Sequence, residues 1–401
     1  MHPSDEIKAI KSQILLNKKI VLAVTGSIAA VETIKLAREL IRHGAEIIPV
    51  MTPNAAKIIH PDALWFATGK KPIIELTGET EHVTYCGKTK EHADLLLICP
   101  ATANTISKIT HGIDDTTVTT FATTAIGSKI PIIIVPAMHL SMYEHKILQK
   151  NIHDLRKNKI EILQPIIDKN KAKTPSQETI ILHVIKKLKT SDYKSKRILI
   201  IGGPTTEKID DIRVITNIST GKTAIQLAKN AYYRDAEVEL WIGNTTEKIP
   251  EYIKTMNFSD NESLQELIKK HDLAKYDIII NCAAISDYKP EKYNGKIPSG
   301  QKILKIDMKP TQKILPLLTK KAPKAKIIAF KAEEKKEKLK EKSQKLIDEY
   351  KIDLVIANTL KGFQKDENEI LIYNKKTQIF KKGKKETLAE IILDEVKKTI
   401  E

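Results

Sequence analysis

Two glycine-bearing turns hold the residues of this 401-residue chain whose types and spacing suit chemistry. The first, Thr25-Gly26-Ser27-Ile28-Ala29-Ala30, follows a β-branched run from Lys19 and opens a stretch of small and aliphatic residues with helical spacing. The second, Gly202-Gly203-Pro204-Thr205, ends the run from Arg197, and Thr216-Asn217-Ile218-Ser219-Thr220-Gly221-Lys222-Thr223 leads into another helical pattern. A strand that feeds a helix through glycine aims free backbone N–H groups at an anion. The pattern predicts two phosphate-bearing ligands at two sites, and hence two reactions in one polypeptide.

The side chains around each turn narrow the ligand. A dinucleotide site wants G-x-G-x-x-G and a carboxylate at the end of the second strand to hold the ribose. Here that strand ends at Met51-Thr52-Pro53. One glycine with the hydroxyls of Ser27 and Thr52 suits a single phosphate, which favours FMN over NAD; a tight turn that binds nothing is the competing interpretation. In the second half, Gly221-Lys222-Thr223 looks like the tail of a P-loop, but Thr216 stands where that motif requires glycine. The insert Gly203-PTTEKIDDIRVITNIST is instead too long for an ordinary connection and rich in hydrogen-bonding side chains. A surface loop with a helix cap at Ser219 or Thr220 is compatible with it.

The elements that must position these residues alternate between strand and helix. Buried-strand patterns at Ile20–Val24, Ile47–Met51, Asp94-LLLICP, Pro131-IIIVPAM and Ile160-EILQP predict a doubly wound parallel sheet. A final helix begins at a capping box of Thr174, Pro175 and Gln177 and ends near Thr190. The polar segment after it places a domain boundary near Lys196, giving domains 1–196 and 197–401. Further strands follow at Arg197-ILIIG, Val238-ELWIG, Asp277-IIINCAA, Lys326-IIAF and Asp353-LVIAN, then a hairpin, Glu369-ILIYNKKTQIF, and a helix from Thr387.

Composition excludes several classes. Hydrophobic residues make up 41%, enough for two cores, and no apolar run reaches membrane-spanning length. The N-terminus MHPSDEIKAIKSQ lacks the apolar stretch of a signal peptide, so a soluble, cytoplasmic protein is expected. Cys86, Cys99 and Cys282 are far apart, which argues against a disulfide framework and a cysteine zinc site. The net charge of +17 raises nucleic acid as a partner, yet acidic residues are mixed with basic ones and no recognition motif appears. Small anionic substrates explain the excess equally well. The run Glu333-EKKEKLKEKSQK offers helical pairs, Glu334 with Lys338 and Glu341 with Lys345.

The ordered strings GSIAA, EHV, PATANTISKITHGI and PAM, then GGPTTEKIDDIRVITNISTGK, NCAAISDY, GKIPS, AFKAE and IAN, resemble one family. It is the bifunctional phosphopantothenoylcysteine decarboxylase and phosphopantothenate-cysteine ligase of coenzyme A biosynthesis, and the likeness covers nearly the whole chain. The resemblance implies a flavodoxin-like flavoprotein decarboxylase domain followed by a Rossmann-like ligase domain. In the first, FMN would contact Gly26, Ser27, Thr52, Ala101, Thr102 and Asn104, and oxidation of the cysteine moiety would create the sink that lets carbon dioxide leave. His82, expected in a loop after Thr77-Gly78, matches the catalytic histidine. Two departures stand out. Pro136-Ala137-Met138-His139 puts a histidine where many relatives have an asparagine that holds the substrate carboxylate. The stretch Gln164-PIIDKNKAKTPSQ lacks the flap cysteine that in many relatives protonates the reduced intermediate, leaving Lys171 or Lys173 as substitutes. A metal site from His139, His145 and His153 is disfavoured because no further ligand completes it at suitable spacing.

For the second domain the resemblance implies CTP-dependent amide formation between 4'-phosphopantothenate and cysteine, assisted by Mg2+, through an acyl-cytidylate. Asn217 would hold that intermediate and Lys296 would assist its formation. Ser219, Thr220, Gly221, Asn281, Ala283, Asp287, Lys296, Lys313, Phe330 and Lys345 would contact the nucleotide. Homo-oligomers are implied as well, with trimeric flavin domains and dimeric ligase domains combining into assemblies up to a dodecamer. A nicotinamide-dependent Rossmann reductase and a basic nucleic-acid-binding protein are the alternatives.

Overall fold

The computed structural model describes residues 2–300, 302–360 and 365–401. The chain divides into two compact units, Met1–Thr190 and Ser191–Glu401. In the first, β1 (Lys19–Val24), β2 (Glu46–Met51), β3 (Leu95–Ala101), β4 (Ile132–Pro136) and β5 (Glu161–Ile162) form one sheet in the order β2-β1-β3-β4-β5. All four pairings are parallel. This is the flavodoxin-like order, whose switch point lies between the carboxyl ends of β1 and β3. Helices cover both faces, so the strands are continuous apolar runs without alternation, and every residue of β3 is buried. Each helix offers one apolar stripe: Leu36, Ala37, Leu40 and Ile41 in Thr33–Arg42, and Val118, Phe121, Ala122 and Ala125 in Thr117–Ser128.

The second unit carries β6 (Arg197–Gly202), β7 (Glu237–Ile242), β8 (Lys254–Asn257), β9 (Ile278–Asn281), β10 (Lys326–Glu333), β11 (Leu354–Thr359), β12 (Glu367–Tyr373) and β13 (Gln378–Lys384). Their order is β8-β7-β6-β9-β10-β11-β12-β13. The first six are parallel in the Rossmann order, and the last two form an antiparallel hairpin on the edge. Alternation along β6 sorts the core into two layers. Ile198 and Ile200 pack with Leu227 and Ile392, while Leu199 and Ile201 pack with Leu264, Leu318 and Ile347 on the other face.

Several expectations need correction. The last helix of the first unit is Gln177–Leu188 and its cap is Ser176, whose hydroxyl accepts from the Thr179 amide at 3.1 Å. Thr174 precedes Pro175, which favours extended backbone at that position. Residues 191–196 belong with the second unit, because Tyr193 is buried there and donates to the Leu393 carbonyl at 2.6 Å. Glu334 lies outside the helix Leu339–Tyr350, so it has no helical pairing with Lys338. The C-terminal helix spans Lys385–Lys397, two residues earlier than expected. Strand β8, Lys254–Asn257, escaped notice because its short polar edge sequence has no apolar pattern.

Candidate active sites

At the switch point of the first unit, hydrogen bonds tie three segments together. Thr25 Oγ1 donates to the Pro100 carbonyl at 2.9 Å and accepts the Thr102 amide at 3.0 Å. Ser27 Oγ donates to the Ala137 carbonyl at 3.1 Å, and the Ala137 amide donates to the Ala101 carbonyl at 3.0 Å. Gly26 is required by packing, since a Cβ there would come within 2.8 Å of Asn54 Cβ. Ser27, Thr52 and Thr102 each begin a helical turn with the side-chain oxygen accepting from a backbone amide. Asn104 is exposed in the first turn after Thr102, and Ala101 is fully buried at the end of β3. Glycine, hydroxyls and helix starts, without a carboxylate among these residues, fit a single phosphate such as that of FMN.

His82 comes from another element and is not in a loop as expected. It occupies the first turn of the helix Glu81–Cys86, which follows Thr80 in the left-handed region at φ 50°. Its Nδ1 is buried without a hydrogen-bond partner, and its ring meets Phe121 edge-on at 6.5 Å between centroids. A buried ring nitrogen with no protein partner is free to serve a ligand. His139 is exposed and differently engaged. Its Nδ1 accepts the Ser141 amide at 3.4 Å and lies 2.9 Å from Ser141 Oγ. With Nδ1 an acceptor, the neutral ring carries its proton on Nε2, which is then a donor.

The segment Gln164–Gln177 forms a hairpin of Ile166–Asp168 and Lys171–Lys173, joined to Met138–His139 in a three-stranded sheet. His139 stands opposite Lys171 in that register. Lys173 is paired with Asp168, which leaves Lys171 as the lysine beside His139. Cys86 and Cys99 are core residues whose thiols burial pushes up to about 12. Among the described residues, no group of three or more His, Cys, Asp or Glu side chains has the arrangement of a metal site.

In the second unit the long insert folds back on the switch point. Its strands Thr206–Lys208 and Val214–Thr216 pair antiparallel, and Asn217 Nδ2 donates to the Ala284 carbonyl at 2.9 Å. Gly203 has φ +76°, and a Cβ there would lie 2.9 Å from the Gly243 amide nitrogen. Two cavities meet at this edge. One, of about 130 Å³, is bounded by Ser219, Thr220, Gly221, Lys222, Asn358 and Lys385 among others. The other, of about 510 Å³, is bounded by Asn217, Asn281, Asp287, Lys313, Leu346 and Tyr350 among others. Ala283, Ala284, Phe330 and Ala332 wall both. Eight of the expected nucleotide residues thus line these two adjoining cavities, together with Asn217. Asp287 and Lys313 pair with each other there at 2.6 Å.

Two expected residues lie elsewhere. Lys345 is exposed and lines neither cavity; Leu346 and Tyr350, one helical turn apart, present that face of Leu339–Tyr350 instead. Lys296 is also exposed outside both cavities, on a loop stitched to the insert. The Gly295 amide donates to Asp211 at 3.0 Å, and the Ile297 amide to Asp210 at 3.1 Å. Burial alone would raise the Asp210 carboxyl. The amides of Arg213, Ile212 and Ile297 and the Arg213 guanidinium outweigh it and hold the group at about 2. Sequence reasoning missed Asn368 and Lys385 on the smaller cavity, because they arrive from β12 and the last helix, far along the chain and without a motif.

Known proteins resemble this chain in sequence. The family described as Flavoprotein matches residues 8–189, and the DNA/pantothenate metabolism flavoprotein C-terminal domain matches residues 193–400. The Coenzyme A biosynthesis bifunctional protein CoaBC of Thermococcus kodakarensis is 44% identical over 408 residues, covering 100% of both chains. Its namesake from Methanocaldococcus jannaschii is 40% identical, covering 100% of this chain and 98% of that one. The solved DNA/pantothenate metabolism flavoprotein from Streptococcus pneumoniae is 24% identical with a TM-score of 0.46, covering 50% of this chain and 98% of its own.

Proposed function

The chain belongs to the family of coenzyme A biosynthesis bifunctional proteins, and from that premise we propose the two reactions it performs. It is an enzyme with ligase and decarboxylase activities. The second unit joins 4'-phosphopantothenate to cysteine at the expense of CTP, with Mg2+ as counter-ion. The first decarboxylates the resulting 4'-phosphopantothenoylcysteine to 4'-phosphopantetheine, and both reactions belong to the cytoplasm. The observation that carries this assignment is the pair of switch points, each lined by glycine and hydroxyls and each on its own sheet.

In the first unit, Gly26, Ser27, Thr102 and Asn104 would hold the FMN phosphate, with Thr52 and Ala101 shaping the walls. Bound FMN supplies the two-electron oxidation and its return. The protein's own residues handle protons and position. A cysteine thiol with an ordinary pKa of about 8.5 is mostly protonated at neutral pH, so a base must accept its proton. His82, with its unpartnered buried nitrogen, is that base. The Nε2–H of His139 replaces the amide of the usual asparagine and holds the substrate carboxylate, while Lys171 beside it is the proton source that stands in for the flap cysteine.

In the second unit a carboxylate resists attack by an amine until activation gives it a leaving group. Asn217, fixed against the Ala284 carbonyl, holds the activated acyl group, and the two adjoining cavities take the nucleotide and the phosphopantothenate between them. The loop of Lys296 and the active sites of both units are completed by neighbouring copies in a homo-oligomer. The test is to mix the purified protein with phosphopantothenate, cysteine, CTP and Mg2+ and follow products by mass. Phosphopantothenoylcysteine reports the ligase and phosphopantetheine reports both activities. A colourless protein that produces neither overturns the assignment.

A further inference from the structure

Lys385 breaks a local rule. It is the first residue of a 13-residue helix, where the axial dipole is positive and a cation is disfavoured. It is nevertheless only 8% exposed. Among the described residues no ion pair or hydrogen bond engages its ammonium; Asp366 and Glu247 act on it only at longer range. Burial pushes its pKa down, and Lys222 adds to that effect. A second uncapped helix start, Gly221 at the head of Lys222–Tyr233, borders the same 130 Å³ cavity. The cavity wall contains two lysines, two asparagines and the hydroxyls of Ser219, Thr220 and Thr223, and no carboxylate. Two helix starts and two ammonium groups converging on a half-open pocket concentrate positive potential there.

Lys222 has a partner to give up. Its ammonium pairs with Asp366, which is 74% exposed at the side chain, and the carbonyl of the same Asp366 accepts the Lys385 amide at 2.8 Å. An anion entering the cavity can therefore meet Lys385 at once and draw Lys222 from a solvated partner.

We propose that Lys385 is a phosphate-binding residue of the second unit, holding a dianionic phosphate group in the smaller cavity while the rest of the ligand extends past Ala283 and Phe330 into the larger one. This rests on the ligase assignment above. Both the phosphate monoester of phosphopantothenate and the triphosphate of CTP have the required chemistry, so the experiment separates them. In the full-length protein, Lys385→Met and Lys385→Arg are compared with the unaltered chain for ligation, with decarboxylation by the other unit as the folding control. Lys385→Met is expected to raise the KM of one substrate roughly 10- to 100-fold while kcat changes little, and Lys385→Arg to restore most of the loss. A rise for phosphopantothenate, with loss of calorimetric preference for it over pantothenate, assigns the monoester; a rise for CTP assigns the triphosphate. Ligation with both KM values unchanged in Lys385→Met overturns this inference alone. Absence of ligation by the unaltered protein defeats the ligase assignment, and this inference with it.

Discussion

His82 and His139, the two histidines proposed to act in the first unit, differ in burial. The one with a hidden, unpartnered nitrogen is suited to proton transfer, and the exposed one, fixed by Ser141, to holding a carboxylate. Replacing His82 with alanine is expected to lower the decarboxylation kcat about 10²- to 10⁴-fold with ligation intact, measured by separate assays of the two half-reactions. His139→Asn should keep most activity because an amide also donates. In the second unit, Asn217→Asp puts a negative charge against an anionic intermediate and removes a donor from the Ala284 carbonyl. It is expected to stop ligation and spare decarboxylation; equal loss of both would sink the division of labour. The identities of these residues were legible because their strings are contiguous. Lys385 and Asn368 were not, because tertiary pairing brings them to the cavity from β12 and the last helix.

At the scale of elements, the loop carrying Lys296 is held by two acidic residues, Asp210 and Asp211, of which Asp210 makes the most backbone bonds. Asp210 gathers the amides of Ile212, Arg213 and Ile297, and its carboxyl is held at about 2. A group depressed in the folded state stabilises above its unfolded value of about 3.9, and that contribution disappears as pH falls through about 2. Amide exchange at Ile297 should accordingly stay protected down to about pH 4 and open below it, whereas Asp210→Asn should weaken protection at neutral pH. Apart from the polar edge strand β8, the strands of both parallel sheets were readable from β-branched runs. The boundary was less readable, since the polarity of Ser191–Lys196 hides one buried ring. Tyr193→Ala is expected to destabilise the second unit by about 3–5 kcal/mol in denaturant unfolding. A fragment starting at Arg197 should be less stable than one starting at Ser191.

Across the whole molecule, each unit has its own core, so chemistry in one does not require the fold of the other. Fragments of residues 1–190 and 191–401 are expected to bind flavin and to ligate, respectively, in spectra and product assays. Neither should behave as a monomer in sedimentation, and dilution should reduce both activities together with the assembly. No helix of the described residues is long and apolar enough to cross a membrane.

The alanines between the two chambers of the second unit act as an open doorway. Three methyl groups and the Phe330 ring stand at that threshold, so enlarging Ala284 to leucine would partition the space. Each room would still admit a short guest, and only a molecule long enough to lie across both would be turned away.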